Sequence, residues 1–95
     1  MPSRTVAVGS TSGLHARPAA LFVAAAAAQP VPVTIRTGEK KPVPAKSMLS
    51  VLSLGAKHGT EVTLEAADVD GAQAAVDTLA ELLEKNLDAE ESAAP

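Results

Sequence analysis

Hydrophobic and polar residues trade places along this chain with two different periods. Within "TEVTLEA", Val62 and Leu64 alternate with Glu61, Thr63 and Glu65, the period of a strand with one covered face. "VPVTIRT" repeats the pattern, with Val33 and Ile35 set against Thr34 and Arg36, and "TGEKK" behind it is turn chemistry. Thr5 to Val8 gives a further short strand, followed by the turn "GSTSG". "KPVPAK" supports only a weak edge strand, because its two prolines cannot donate to a ladder.

Three segments have helical character. His15 to Ala28 is rich in helix formers, carries Pro18 in its first turn where a missing N–H costs little, and stops before Gln29 and Pro30. "SMLSVLSL", Ser47 to Leu54, also alternates, but the serine at its start and Gly55 at its end are helix punctuation, so a short helix is predicted. Asp70 to Asn86 is predicted as a capped helix with acids in its first turn and Ala72, Val76, Leu79 and Leu83 on one face. The order β-α-β-β-α-β-α then defines an α+β fold, an open-faced β-sandwich of four antiparallel strands with all three helices on one face. A domain over residues 1–88 is expected, followed by a mobile tail at 89–95.

Composition narrows this picture. Ninety-five residues suit one small domain, and with Phe22 the only aromatic its core must be built from Val, Leu, Ile and Ala. A net charge of -3 lacks the basic footprint of a nucleic-acid binder. Without cysteine there are no disulfides, and two histidines with scattered carboxylates make a poor zinc site, so no metal is expected. Arg4 and Arg17 before "PAALFVAAAAAQP" imitate a signal peptide, but the apolar run is too short to span a bilayer and follows a strand of the domain. A buried helix is expected, with no membrane insertion.

Candidate chemistry sits in "SGLHARPAA", Ser12 to Ala20. A helix N-terminus offers unpaired N–H groups and the positive end of the macrodipole, a setting for anions. A neutral imidazole at His15 carries a nitrogen lone pair to donate. Arg17 adds a permanent cation able to clamp phosphoryl oxygens, and Pro18 stiffens the mount. The arrangement suits covalent nucleophilic catalysis by histidine. On local spacing alone, the simpler reading of a solvated histidine and a solvated arginine stays ahead.

Two motifs reverse that order. "GLHARPAA" resembles the active-site signature of HPr, the histidine-containing phosphocarrier family of the phosphoenolpyruvate-dependent sugar phosphotransferase system, and "KSMLSVLSLGAKHGTEV" resembles that family's second signature. The resemblance covers nearly the whole chain, and the element order agrees with it. It implies that His15 takes a phosphoryl group on its δ1 nitrogen from phosphorylated Enzyme I and hands it to the IIA domain of a sugar permease, with Arg17 as the clamp. It implies a cytoplasmic, monomeric carrier, not an independent enzyme, with no cofactor. Ser47 matches a serine that a dedicated HPr kinase/phosphorylase modifies in many Gram-positive members, which would add a catabolite-control regulator as partner; the plain alternative is that Ser47 is an N-cap. Ala16, Ala20, Met48, Leu49 and Leu52 match the docking surface, to which Met48 and Leu49 are expected to bring an exposed apolar patch.

This chain departs from the pattern in places. Ala24 and Ala27 stand where some members have polar or basic residues, so docking electrostatics are expected to rest on Arg17 and Lys57. Ser50 replaces a common glycine, "KKPVP" is unusually proline-rich, and His58 reads as a surface residue. Two other readings remain: a carrier of a nitrogen-regulatory or dihydroxyacetone branch, and a regulatory module acting through phospho-Ser47. The second could dispense with the histidine, so His15 and Arg17 together argue against it as the sole role.

Overall fold

The computed structural model describes residues 2–11, 13–38 and 40–85. The chain runs β1 (Ser3–Ala7), α1 (Ala16–Ala27), β2 (Val33–Thr37), β3 (Val43–Pro44), α2 (Met48–Ser53), β4 (Glu61–Ala66) and α3 (Ala72–Glu84). This is the element order read from the sequence, with ends displaced by a residue or two. The strands form one antiparallel sheet in the order β1-β4-β2-β3. The domain end expected at residue 88 and the tail at 89–95 lie outside the described residues.

Alternation in the strands sorts the sheet into two faces. Val6, Val62, Leu64, Ala66, Val33 and Ile35 are buried under the helices, and Ile35 pairs with Leu64 in register. On the other face, Thr5 and Thr63 share a hydrogen bond of 2.9 Å across their pair, and Arg36 Nε donates to Glu65 Oε1 at 3.3 Å. That face satisfies its polar groups with side-chain pairs and solvent, as an open-faced sandwich requires. β3 is only two residues long, and Pro44 has no N–H to present, which blunts this edge against added strands.

All three helices pack into one core. α3 lies on β1 and β4, α1 rests against both α2 and α3, and α2 touches β3. Phe22, Val51, Val76, Leu79 and Leu83 meet the buried strand residues there. The buried face of α3 is the predicted one: Ala72, Val76, Leu79 and Leu83.

Its start is not. The helix begins at Ala72 with Gly71 as N-cap in the left-handed conformation (φ 86), and no acidic residue lies in its first turn. Asp70 is left before the cap because the chain first makes a tight turn, Val69 N–H donating to Ala67 O at 2.9 Å and Ala72 N–H to Val69 O at 3.1 Å. The helix ends at Glu84, and Asn86, its expected end, lies outside the described residues.

Ile35 is fully enclosed at the centre of this core. Ile35→Ala is expected to lower the unfolding free energy by about 2–5 kcal/mol through lost burial and a residual cavity. Thr78→Ala, on the exposed side of α3, should stay within about 0.5 kcal/mol of the parent. Denaturant midpoints at unchanged slope measure both.

Candidate functional site

The loop between β1 and α1 is fastened at nearly every second residue. Val8 N–H donates to Thr60 O at 2.9 Å and Val8 O accepts from Gly59 N–H at 2.9 Å, so strand-like pairing continues past the end of β1. Gly9 N–H donates to Leu83 O at 2.8 Å, tying the loop to the last turn of α3. Gly13 N–H closes a turn onto Ser10 O at 2.9 Å, and Leu14 N–H donates to Ala56 O at 2.9 Å in the segment joining α2 to β4. His58, exposed as expected, adds a support: its Nδ1–H donates to Ser10 O at 3.2 Å.

Two of these approaches require glycine. A Cβ on Gly9 would stand 2.0 Å from Glu84 O. One on Gly13, whose φ is +77, would stand 2.6 Å from Ala56 O and 2.8 Å from Lys57 Cα.

His15 follows directly as the N-cap of α1, with extended backbone (φ -141, ψ 154) and an exposed side chain. Its ring makes no capping hydrogen bond to the first turn. Leu14 before it is buried, and Pro18 behind it is buried as well, so the exposed imidazole sits between two anchors. As third residue of α1, Pro18 lacks an N–H that would have no partner inside the helix in any case. Arg17 is exposed in the same first turn, and the backbone of Lys57 lies against Gly13, two residues before His15.

The remaining predicted residues divide. Ala16 opens α1 and Ala20 is exposed one turn on. α2 packs beside α1, but only Leu49 stands clear of the surface, at 81% exposure, whereas Met48 and Leu52 are half-buried against the core. The apolar patch expected from Met48 and Leu49 is therefore carried chiefly by Leu49. Ser47 is the N-cap of α2: its Oγ accepts from Ser50 N–H at 3.3 Å.

Leu21 escaped the sequence reading. It is 42% exposed on α1, and because it follows Arg17 by four residues, placing Arg17 outward already puts Leu21 on the same face. A recess of about 370 Å³ opens at the far end of α1, lined by Ala26, Pro30, Val31, Pro44 and Lys46 among others, roughly 16 Å along the helix from His15. Among the described residues no group of three or more His, Cys, Asp or Glu could hold a metal ion, and no helix is long and apolar enough to cross a membrane.

An open four-stranded sandwich that presents a histidine at a helix start, followed by an arginine in the first turn, has the form of the histidine phosphocarrier class. Comparison with known proteins bears this out. The family model described as "PTS HPr component phosphorylation site" matches residues 2–85. A phosphocarrier protein HPr of Streptomyces coelicolor is 52% identical over 88 residues, 93% of this chain and 94% of that one. One of Haloferax volcanii is 46% identical over 84% of this chain and 90% of its own. The crystal structure of HPr from Bacillus anthracis superposes with a TM-score of 0.78 at 34% identity, covering 85% of this chain and 94% of that one. The chain belongs to the HPr family of phosphocarriers of the phosphotransferase system.

The fastening of the site loop can be tested by two glycine replacements. Gly55 also has a left-handed φ of +63, but a Cβ there meets nothing within 4 Å. Gly55→Ala should therefore cost only the conformational penalty, about 1–2 kcal/mol. Gly13→Ala bears that penalty and the collision with Ala56 O, and should exceed it by at least about 1 kcal/mol. Equal losses in parallel denaturant titrations would show that the approach of Gly13 to Ala56 is not a constraint.

Proposed function

We propose that this protein accepts a phosphoryl group on Nδ1 of His15 from phosphorylated Enzyme I and passes it to the IIA domain of a sugar permease in the cytoplasm. The observation that carries the reading is His15 itself: exposed, rigidly led in, and with a ring not spent on capping α1. The family match from residue 2 to 85 supports it.

The chemistry follows from the position. The lone pair of the imidazole attacks phosphorus, an N–P bond forms, the P–N bond to the donor's imidazole breaks, and the bonding pair leaves on the donor nitrogen. The proton left on the far nitrogen of His15 is exchanged with solvent, which reaches this exposed ring. Oxygens of the bound group gain from the positive end of α1, worth about 0.3–1 kcal/mol at an exposed helix end. Arg17 supplies charged donors for the same oxygens as they move from one ring to the other. Such stabilisation is modest, which suits a carrier that must release its group to the next protein. Binding in a deep pocket would hold it too firmly.

With Enzyme I from the same host and phosphoenolpyruvate, the chain is expected to gain one acid-labile phosphoryl group, measured as a mass increase that disappears on mild acid treatment. His15→Ala should gain none, and labelling that persists there rejects the assignment. Arg17→Ala should still be labelled, but more slowly by about tenfold to a hundredfold, the loss of a charged hydrogen-bonding partner in the transfer.

A further inference from the structure

His58 is the second histidine of the chain, and the turn that carries it is held on both flanks. Thr60 N–H donates to Lys57 O at 2.9 Å and Lys57 N–H to Thr60 Oγ1 at 3.1 Å, so residues 57–60 close on themselves, with Gly59 at the left-handed φ of 85 that such a turn needs. Gly59 N–H and Thr60 O are bonded in turn to Val8. From this fixed base the ring reaches Ser10 O, 3.2 Å from its Nδ1. A carbonyl oxygen only accepts, so Nδ1 carries the proton.

Ser10 is 1% exposed, and its carbonyl oxygen has two lone pairs to place. One takes Gly13 N–H at 2.9 Å, closing the turn that leads through Leu14 to His15, and the other takes His58. Without the ring, a buried acceptor is left half satisfied and the turn is closed on Ser10 O by a single bond.

We propose that His58 is a positioning residue for phosphoryl transfer: through Ser10 O it fixes the turn from which the His15 imidazole is presented. The inference rests on the carrier reading and adds to it a residue that acts only through the backbone beneath His15. Transfer between two imidazoles, each on its own protein, requires the accepting ring to stand in one orientation, and a looser mount leaves it misaligned for part of each encounter. A small donor that diffuses freely meets the ring in whatever orientation it has, and does not sense the mount.

The test compares the full chain with His58→Leu, which removes the donor, and His58→Gln, whose amide can donate to the same oxygen. With phosphorylated Enzyme I of the same host, His58→Leu should lower kcat by about three- to tenfold, the effect of one lost hydrogen bond, with KM within about twofold of the parent. His58→Gln should return kcat to within about twofold of the parent. Phosphoramidate, the small donor, should label His15 in all three at rates within about twofold of one another. Exchange of the Gly13 amide with deuterated solvent should be faster in His58→Leu by about three- to tenfold.

An unchanged kcat in His58→Leu, an unchanged Gly13 exchange rate, or a His58→Gln variant as slow as His58→Leu overturns the positioning role while leaving the carrier reading intact. So does an equal slowing with phosphoramidate, which would put the effect in the reactivity of the ring, or a loss confined to KM, which would put it in docking. Labelling of His15 in the parent by phosphoramidate but not by Enzyme I overturns both.

Discussion

Everything at the site depends on the backbone hydrogen bonds that hold the β1–α1 loop against three other parts of the fold. Gly9 is tied to the last turn of α3, Val8 to the Gly59–Thr60 turn, and Leu14 to Ala56 beyond α2. These bonds form only because the chains come closer than a side chain would permit: a Cβ on Gly9 would overlap Glu84 O, and one on Gly13 would overlap Ala56 O. The start of α1 is thereby fixed to the rest of the molecule by elements far apart in sequence. An exposed side chain has no walls to orient it, so the rigidity of His15 has to come from the backbone beneath it.

Packing extends this constraint outward. α3 can receive Gly9 only if its own end is held, and it is held by Val76, Leu79 and Leu83 in the core. Arg4 on β1 reaches Glu84 at 3.1 Å and Asp77 at 3.5 Å, but these are partly exposed ion pairs and add little beside the buried contacts. Val51 anchors α2, which sets Ala56 in place to receive Leu14. A thin aliphatic core with a single aromatic thus serves a positional purpose: its layers end where the histidine begins.

Much of this was legible in the sequence, and what was not has a physical reason. Alternation revealed β2 and β4 because one side of the sheet is wet, and Gly55 correctly ended α2, where its φ of +63 is the left-handed turn that punctuation implied. Asp70 misled because a cap is recognised by residue type, whereas the backbone chose Gly71, which lies against Pro30 and Val31 and can take the φ of 86 that the turn demands. His15 and Arg17 were visible as a motif and stand exposed in the same helical turn. The exposure of Leu21 and the half-burial of Met48 were not visible. In a run such as "AALFVAAAAA" almost every position is apolar, so no period distinguishes the covered face from the open one. Only the neighbours decide, and those neighbours are α2 and α3.

The two sides of the molecule are also prepared for different surroundings. On the open face of the sheet, Thr5 pairs with Thr63 and Arg36 with Glu65, and burying that face in a partner would strip water from groups that already have what they need. The α3 side carries its acids around Arg4, and covering it would desolvate several charges at once. Along α1 and α2, covering Ala20, Leu21, Ala24 and Leu49 removes only apolar surface from water. Of these surfaces this one carries the fewest charged side chains, with Arg17 alone within α1 and none within α2.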